Sequence, residues 1–87
     1  MRWSELSFSQ MFILYVFHTN GHLTGRNPIN EREFPGLFGR PIQEIKLVVD
    51  ELMEMGFLSD NSDHTIFRIT EEGHTIIPRK LMAGIGI

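Results

Sequence analysis

Arg40, Gln43, Glu44, Lys46 and Leu47 fall within about two turns of one helix. Their side chains can read base edges. Arg pairs with guanine, Gln with adenine, and Glu accepts from the amino group of cytosine. Leu47 lies off the apolar stripe and can touch a thymine methyl. A polar, two-strand hairpin follows this helix. Such a helix can enter a DNA groove while the hairpin loop touches the backbone, so DNA binding is the first expectation. Other chemistry is thinly supplied. There is no Cys, hence no disulfide and no Cys-based zinc site. His18 and His22 have i,i+4 spacing, but Asn20-Gly21 is expected to break the helix between them, so no metal site is expected. The chain holds no phosphate-cradling motif and no nucleophile elbow. Glu71-Glu72 reads as a helix start rather than a carboxylate dyad. These points argue against an enzyme, and no cofactor is implied.

The bulk numbers restrict the partner. The chain has 87 residues and a formal net charge of -3, unlike the strongly basic modules that hold nucleic acid by phosphate attraction. One domain of this size buries a thin core, which a second subunit would help to complete. The apolar run Met11 to Phe17 is far shorter than the roughly 20 residues of a membrane span. Arg2 ahead of that run imitates a signal peptide, but Glu5 interrupts it and no small-x-small site follows. A cytoplasmic protein with no membrane partner is expected.

The elements that position the base-reading set follow from punctuation. Ser7 and Gln10 have capping-box spacing, with Leu6 and Met11 as a staple, ahead of a first helix from about Phe8 to His18. That helix is apolar nearly all round, so it is central or shared with a second subunit. Asn20-Gly21 should end it. His22 to Ile29 reads as a loop with Gly25 and Pro28 as breakers, and Leu23-Thr24 as a very short strand. Asn30 with Glu33 makes a second capping box, and Ile29 with Phe34 a second staple. Pro35 then makes the second helix short or distorted. Gly36 and Gly39 should form the turn after it. Pro41 suits the first position of a third helix, with Arg40 as a poor N-cap. Ile45, Val48, Val49 and Leu52 form its apolar stripe. Gly56 should stop it in a Schellman motif, with Leu52 against Phe57. Phe57-Leu58-Ser59 and Thr65 to Thr70 are the hairpin strands around the loop Asp60 to His64. Thr70 caps a short fourth helix that Pro78 bends or ends. Met53 and Met55 should fill gaps at the core edge, and Trp3 should pack at the N-terminus or against a second subunit.

That order matches a winged helix-turn-helix domain: an α+β fold with a three-helix core, a β-hairpin wing and a short C-terminal helix. Val48-Val49-Asp50-Glu51-Leu52-Met53-Glu54-Met55-Gly56-Phe57-Leu58 resembles the end of the recognition helix and first wing strand of bacterial and archaeal regulators of the MarR and PadR kind. Ile69-Thr70-Glu71-Glu72-Gly73 resembles the φ-Thr-x-x-Gly signature that closes their wing. Ile29 to Phe34 sits where helix two belongs. The likeness covers residues 7 to 77 of a single domain spanning 1–87, with 78–87 as a tail. Departures are Pro35, Arg40 in place of a Ser or Thr cap, and an acidic wing tip. The resemblance implies a small sequence-specific regulator of double-stranded DNA, a homodimer through helix one and the C-terminal segment. Helix three would meet base edges with Arg40, Gln43, Glu44, Lys46 and Leu47. Arg26 and Arg32 would reach phosphates, and His64 and Arg68 are the basic groups of the wing.

A blander account exists for each signal. Lys46 and Asp50 are spaced as an exposed i,i+4 pair, and Gln43 and Glu44 as ordinary solvent-facing residues. Asp60 and Asp63 would repel phosphate. The rival is a protein-binding module of the same fold, with Leu47, Trp3 and the Ile85-Gly86-Ile87 tail as contacts. The DNA expectation therefore rests on one arrangement: cations gathered at the start of helix three, with the carboxylates Asp50, Glu51 and Glu54 facing away.

Overall fold

Two reciprocal hydrogen bonds start the first helix. The Ser7 N–H donates to Gln10 Oε1 at 2.9 Å, and the Gln10 N–H donates to Ser7 Oγ at 3.1 Å. The computed structural model describes residues 1–24 and 28–79, with backbone alone over 21–24. The elements are α1 (Phe8–Thr24), β1 (Ile29–Asn30), α2 (Phe34–Phe38), α3 (Ile42–Glu54), β2 (Leu58–Asp60), β3 (Ile66–Ile69) and α4 (Glu71–Ile76). Short 3-10 turns stand at Trp3–Glu5 and Glu31–Glu33. The fold is α+β, with a three-stranded antiparallel sheet in the order β1-β3-β2.

α1 corrects the first boundary. It continues through Asn20-Gly21 to Thr24 instead of stopping at His18. An interior Gly costs about 1 kcal/mol against Ala. Burial of Ile13, Leu14 and Phe17 earlier in the same helix outweighs that cost. Leu23 and Thr24 accordingly lie in the helix and form no strand. The strand is Ile29–Asn30, which pairs with β3 in the register Ile29↔Phe67 and Asn30↔Ile66. A two-residue strand has no periodicity to announce it.

The second capping box forms as expected. The Asn30 N–H donates to Glu33 Oε2 at 2.8 Å, and the Arg32 N–H to Asn30 Oδ1 at 3.0 Å. It begins a 3-10 turn that passes into the five-residue α2, with Pro35 in the first turn. Gly36 belongs to that helix, and Gly39 alone makes the left-handed stop at φ 68°. The start of α3 shifts by one residue. Pro41 is its cap, at ψ 149°, and its carbonyl accepts from the N–H groups of Glu44 and Ile45, so Arg40 is not the N-cap. The end of α3 is the expected Schellman motif. Gly56 has φ 85°, the Phe57 N–H donates to the Leu52 carbonyl at 2.9 Å, and the Gly56 N–H to the Met53 carbonyl at 3.0 Å.

β2 and β3 pair as Leu58↔Ile69, Ser59↔Arg68 and Asp60↔Phe67. Phe67 and Ile69 face the core while Arg68 faces out. Asn61 organises the hairpin tip, its Oδ1 accepting from the N–H groups of Thr65 and Ile66 at 3.0 and 3.1 Å. Thr70 then joins three elements. Its N–H donates to the Phe57 carbonyl, its hydroxyl donates to the Gly56 carbonyl at 2.6 Å, and the same Oγ1 accepts from the Gly73 N–H at 3.1 Å. The Gly56 stop, the hairpin and the α4 cap are thus one hydrogen-bonded unit.

Phe34 centres the core. Its ring lies 5.5 Å from Phe38, 5.6 Å from Phe67 and 6.3 Å from Phe17, linking α1, α2 and β3. Ile45, Val49 and Leu52 close the core from α3, with Val48 half-buried at its margin. Trp3, Met53 and Met55 pack against it. Among the described residues no helix is long and apolar enough to cross a membrane.

Candidate nucleic-acid interface

The Gly39 turn and the Pro41 cap set the N-terminal half of α3 on the surface. Arg40, Gln43, Glu44 and Leu47 are exposed, Leu47 at 69%. Ile45 faces the core on the opposite side, as the 3.6-residue stripe demands. The exposed acids Asp50, Glu51 and Glu54 follow in the C-terminal half. Glu51 also reaches α1, accepting from Gln10 Nε2 at 3.1 Å.

The cations do not gather free of acids. Arg40 Nη1 stands 4.0 Å from Glu44 Oε2, with the two side chains 71% and 58% exposed. Lys46 Nζ stands 3.3 Å from Glu31 Oε1 in a half-buried pair. Lys46 therefore turns to the 3-10 turn before α2 rather than to Asp50. Its position on the flank of α3, beside the core residue Ile45, points it there. The expectation of a cationic patch fails at these two residues.

The other site residues are more dispersed. Arg32 is exposed beside the α2 cap, and Arg68 is exposed on the outer face of β3. Neither forms an ion pair among the described residues. His64 sits at the hairpin tip in a left-handed conformation, φ 58°, with Nδ1 2.6 Å from Asp60 Oδ2. That contact occupies one of the two tip acids. Arg26 and the tail residues 80–87, including Ile85-Gly86-Ile87, lie outside the described residues.

Two features escaped the sequence reading. Phe8 and Phe12, at the start of α1, are 85% and 46% exposed. With Phe38, Arg40, Glu44 and Val48 they line a groove between the first turns of α1 and α3. Phe8 lies about 180° around α1 from the buried Phe17, so helix phase was the signal there to use. The second feature is His18, whose Nδ1 lies 2.8 Å from Nδ1 of His74. Nothing local pairs residues so distant in the chain.

A scan against family models and searches of curated proteins and solved structures gave no match to this chain.

Proposed function

We propose that this chain is a winged helix-turn-helix domain and acts as a sequence-specific regulator on double-stranded DNA. The carrying observation is α3 itself: a 13-residue helix with its stripe in the core, its first two turns exposed, and a paired hairpin joined directly to its end. On this reading Arg40, Gln43, Glu44 and Leu47 meet base edges. Lys46, Arg32 and Arg68, with Arg26, contact phosphates, and His64 lies at the wing tip. The likeness to MarR and PadR regulators belongs to the same reading, as does a homodimer through α1 and the C-terminal segment, for which exposed Phe8 and Phe12 speak. A cytoplasmic setting follows from the DNA ligand.

Magnitudes decide whether the carboxylate partners matter. An exposed ion pair is worth about 0.2–1 kcal/mol. A hydrogen bond to a charged group contributes about 1.5–3 kcal/mol. Arg40, paired at 4.0 Å on an open surface, loses little by leaving Glu44 for a base or a phosphate. The total attraction stays small. With Arg26, Arg32, Lys46 and Arg68 on phosphates, log affinity falls against log salt with a slope of about -3.6.

A protein-binding module of the same fold is the second reading. The observation behind it is that the exposed side of α3 carries Glu44, Asp50, Glu51 and Glu54 while Arg40 and Lys46 already hold carboxylates. Exposed Leu47, Phe8 and Phe12 would then be its contacts. Titration of duplex binding against salt separates the two. The DNA reading expects measurable binding at low salt and a strong loss on changing Arg40 and Lys46 together to Ala. No binding to any duplex at low salt, from a folded protein, rejects it in favour of the protein partner.

A further inference from the structure

The groove between the first turns of α1 and α3 has a volume of about 320 Å³, and Phe8, Phe12, Phe38, Val48, Arg40 and Glu44 stand in its walls. Phe12 packs an edge against Phe38, with ring centroids 6.1 Å apart and planes at 75°, and leaves much of its own ring in solvent. Phe8, one helical turn earlier, is almost wholly exposed. Exposed Leu47 is the i,i+3 neighbour of Glu44 on α3. An apolar patch with a charged rim marks an interaction surface on a small domain.

The surface suits a second copy of this chain. A two-fold contact needs one patch that complements itself. This patch has a projecting ring in Phe8, a recess beside it, a cation in Arg40 and an anion in Glu44. Phe8 of each copy fits the recess of the other, and Arg40 of each meets Glu44 of the other. Opposite charges at the rim cancel locally, so the net charge of -3 per chain does not oppose the contact there. The Arg40–Glu44 contact within one chain is exposed, at 4.0 Å, so trading it for the same contact between chains costs little. Phe8 and Phe12 leave roughly 250 Å² of ring surface open in each copy. With Leu47 and the polar rim, two copies bury about 1,200 Å², the lower end of stable interfaces. The dimer is therefore weak, with a dissociation constant on the order of 10 μM. A phosphate backbone offers these rings no apolar surface, so a duplex is not the occupant.

We propose that two copies of the chain join at this groove, and that the joined copies cover Arg40 and Glu44. The inference rests on the homodimer reading above and deepens it, with contact between α1 and α3 in place of the C-terminal segment. Its consequence is competition. A residue held by a second copy cannot meet a base, so dimer and duplex exclude one another. Self-association then limits DNA binding as the protein concentration rises.

The test is sedimentation equilibrium of the full chain without DNA, over a range of concentrations spanning that constant. The expected result is a monomer–dimer equilibrium that Phe8→Asp weakens by about tenfold or more. Asp is favourable in the first turn of a helix and Phe8 is exposed, so this variant keeps its fold, which circular dichroism checks. Arg40→Glu should weaken the dimer severalfold. Arg40→Glu combined with Glu44→Arg should restore it, because each pair between copies re-forms with its signs exchanged. A monomer throughout, a dimer indifferent to Phe8→Asp, or a charge exchange that fails to restore association overturns the interface. Duplex binding is read separately. Phe8→Asp should bind a duplex at least as tightly as the unaltered chain, and weaker binding by that folded variant overturns the competition. Failure of both proteins to bind any duplex counts against the DNA reading alone.

Discussion

Gly73→Ala is a sharp perturbation of the unit that fixes the hairpin against α3. Alanine in a helix is ordinarily better than glycine by about 0.5–1 kcal/mol. At Gly73 that gain is opposed by space. A methyl there would press on the backbone carbonyl of Phe57 and on Cγ1 of Ile69, 2.6 Å away. The Phe57 oxygen cannot swing aside, because it accepts from the Thr70 N–H at 3.0 Å. Overpacking of this kind costs about 1–3 kcal/mol. Displacing α4 also weakens the Gly73 N–H bond to Thr70 Oγ1, and a lost cap adds about 1 kcal/mol. The net expectation is destabilisation of about 1–3 kcal/mol. For a domain of this size each kcal/mol lowers Tm by roughly 4–8 °C. Gly36→Ala is the matched control: it sits in α2, and its Cβ would meet nothing within 4 Å. That variant should hold or raise Tm. Both are measured by thermal unfolding under circular dichroism. A Gly73→Ala protein as stable as the unaltered chain, or more stable, would refute the close packing of α4 on the hairpin.

Phe34→Ala removes the ring shared by Phe17, Phe38 and Phe67 and should cost about 3–5 kcal/mol, enough to leave much of a small domain unfolded at room temperature in a urea titration. Thr70→Ala removes a cap and the bond to the Gly56 carbonyl, and should lower stability by about 1–2 kcal/mol by chemical denaturation. Asn61→Ala strips the acceptor of the Thr65 and Ile66 N–H groups, so faster hydrogen exchange at those two amides is expected while the Phe67 amide stays protected. Leu47→Glu lies on an exposed position and should leave Tm nearly unchanged, within about 0.5 kcal/mol, while abolishing duplex binding.

The sequence shows the architecture where local chemistry is self-contained. Ser7 with Gln10, Asn30 with Glu33, Leu52 with Phe57, and Thr70 with Gly73 each combine a donor and an acceptor within a few residues, and each forms. Boundaries fail where burial overrules punctuation. Asn20-Gly21 does not stop α1, because a helix already anchored by Ile13, Leu14 and Phe17 carries a weak residue at small cost. β1 is too short to carry a period and exists only because Phe67 and Ile66 are there to pair with it. The site is less legible than the fold. That Arg40, Gln43, Glu44 and Leu47 share an exposed face follows from helix phase, and it holds. That Lys46 would reach Glu31, 15 residues earlier, depends on how the 3-10 turn packs beside α3, which no local rule encodes. The His18–His74 pair is hidden for the same reason.

The central claim is that the exposed first turns of α3 read a DNA sequence. Selection of the full chain against a random duplex pool at low salt tests it most directly. The account predicts enrichment of a defined motif, bound far more weakly by a protein carrying Gln43→Ala and Arg40→Ala. A folded protein that enriches no sequence, or whose enriched motif survives those substitutions undiminished, would contradict it.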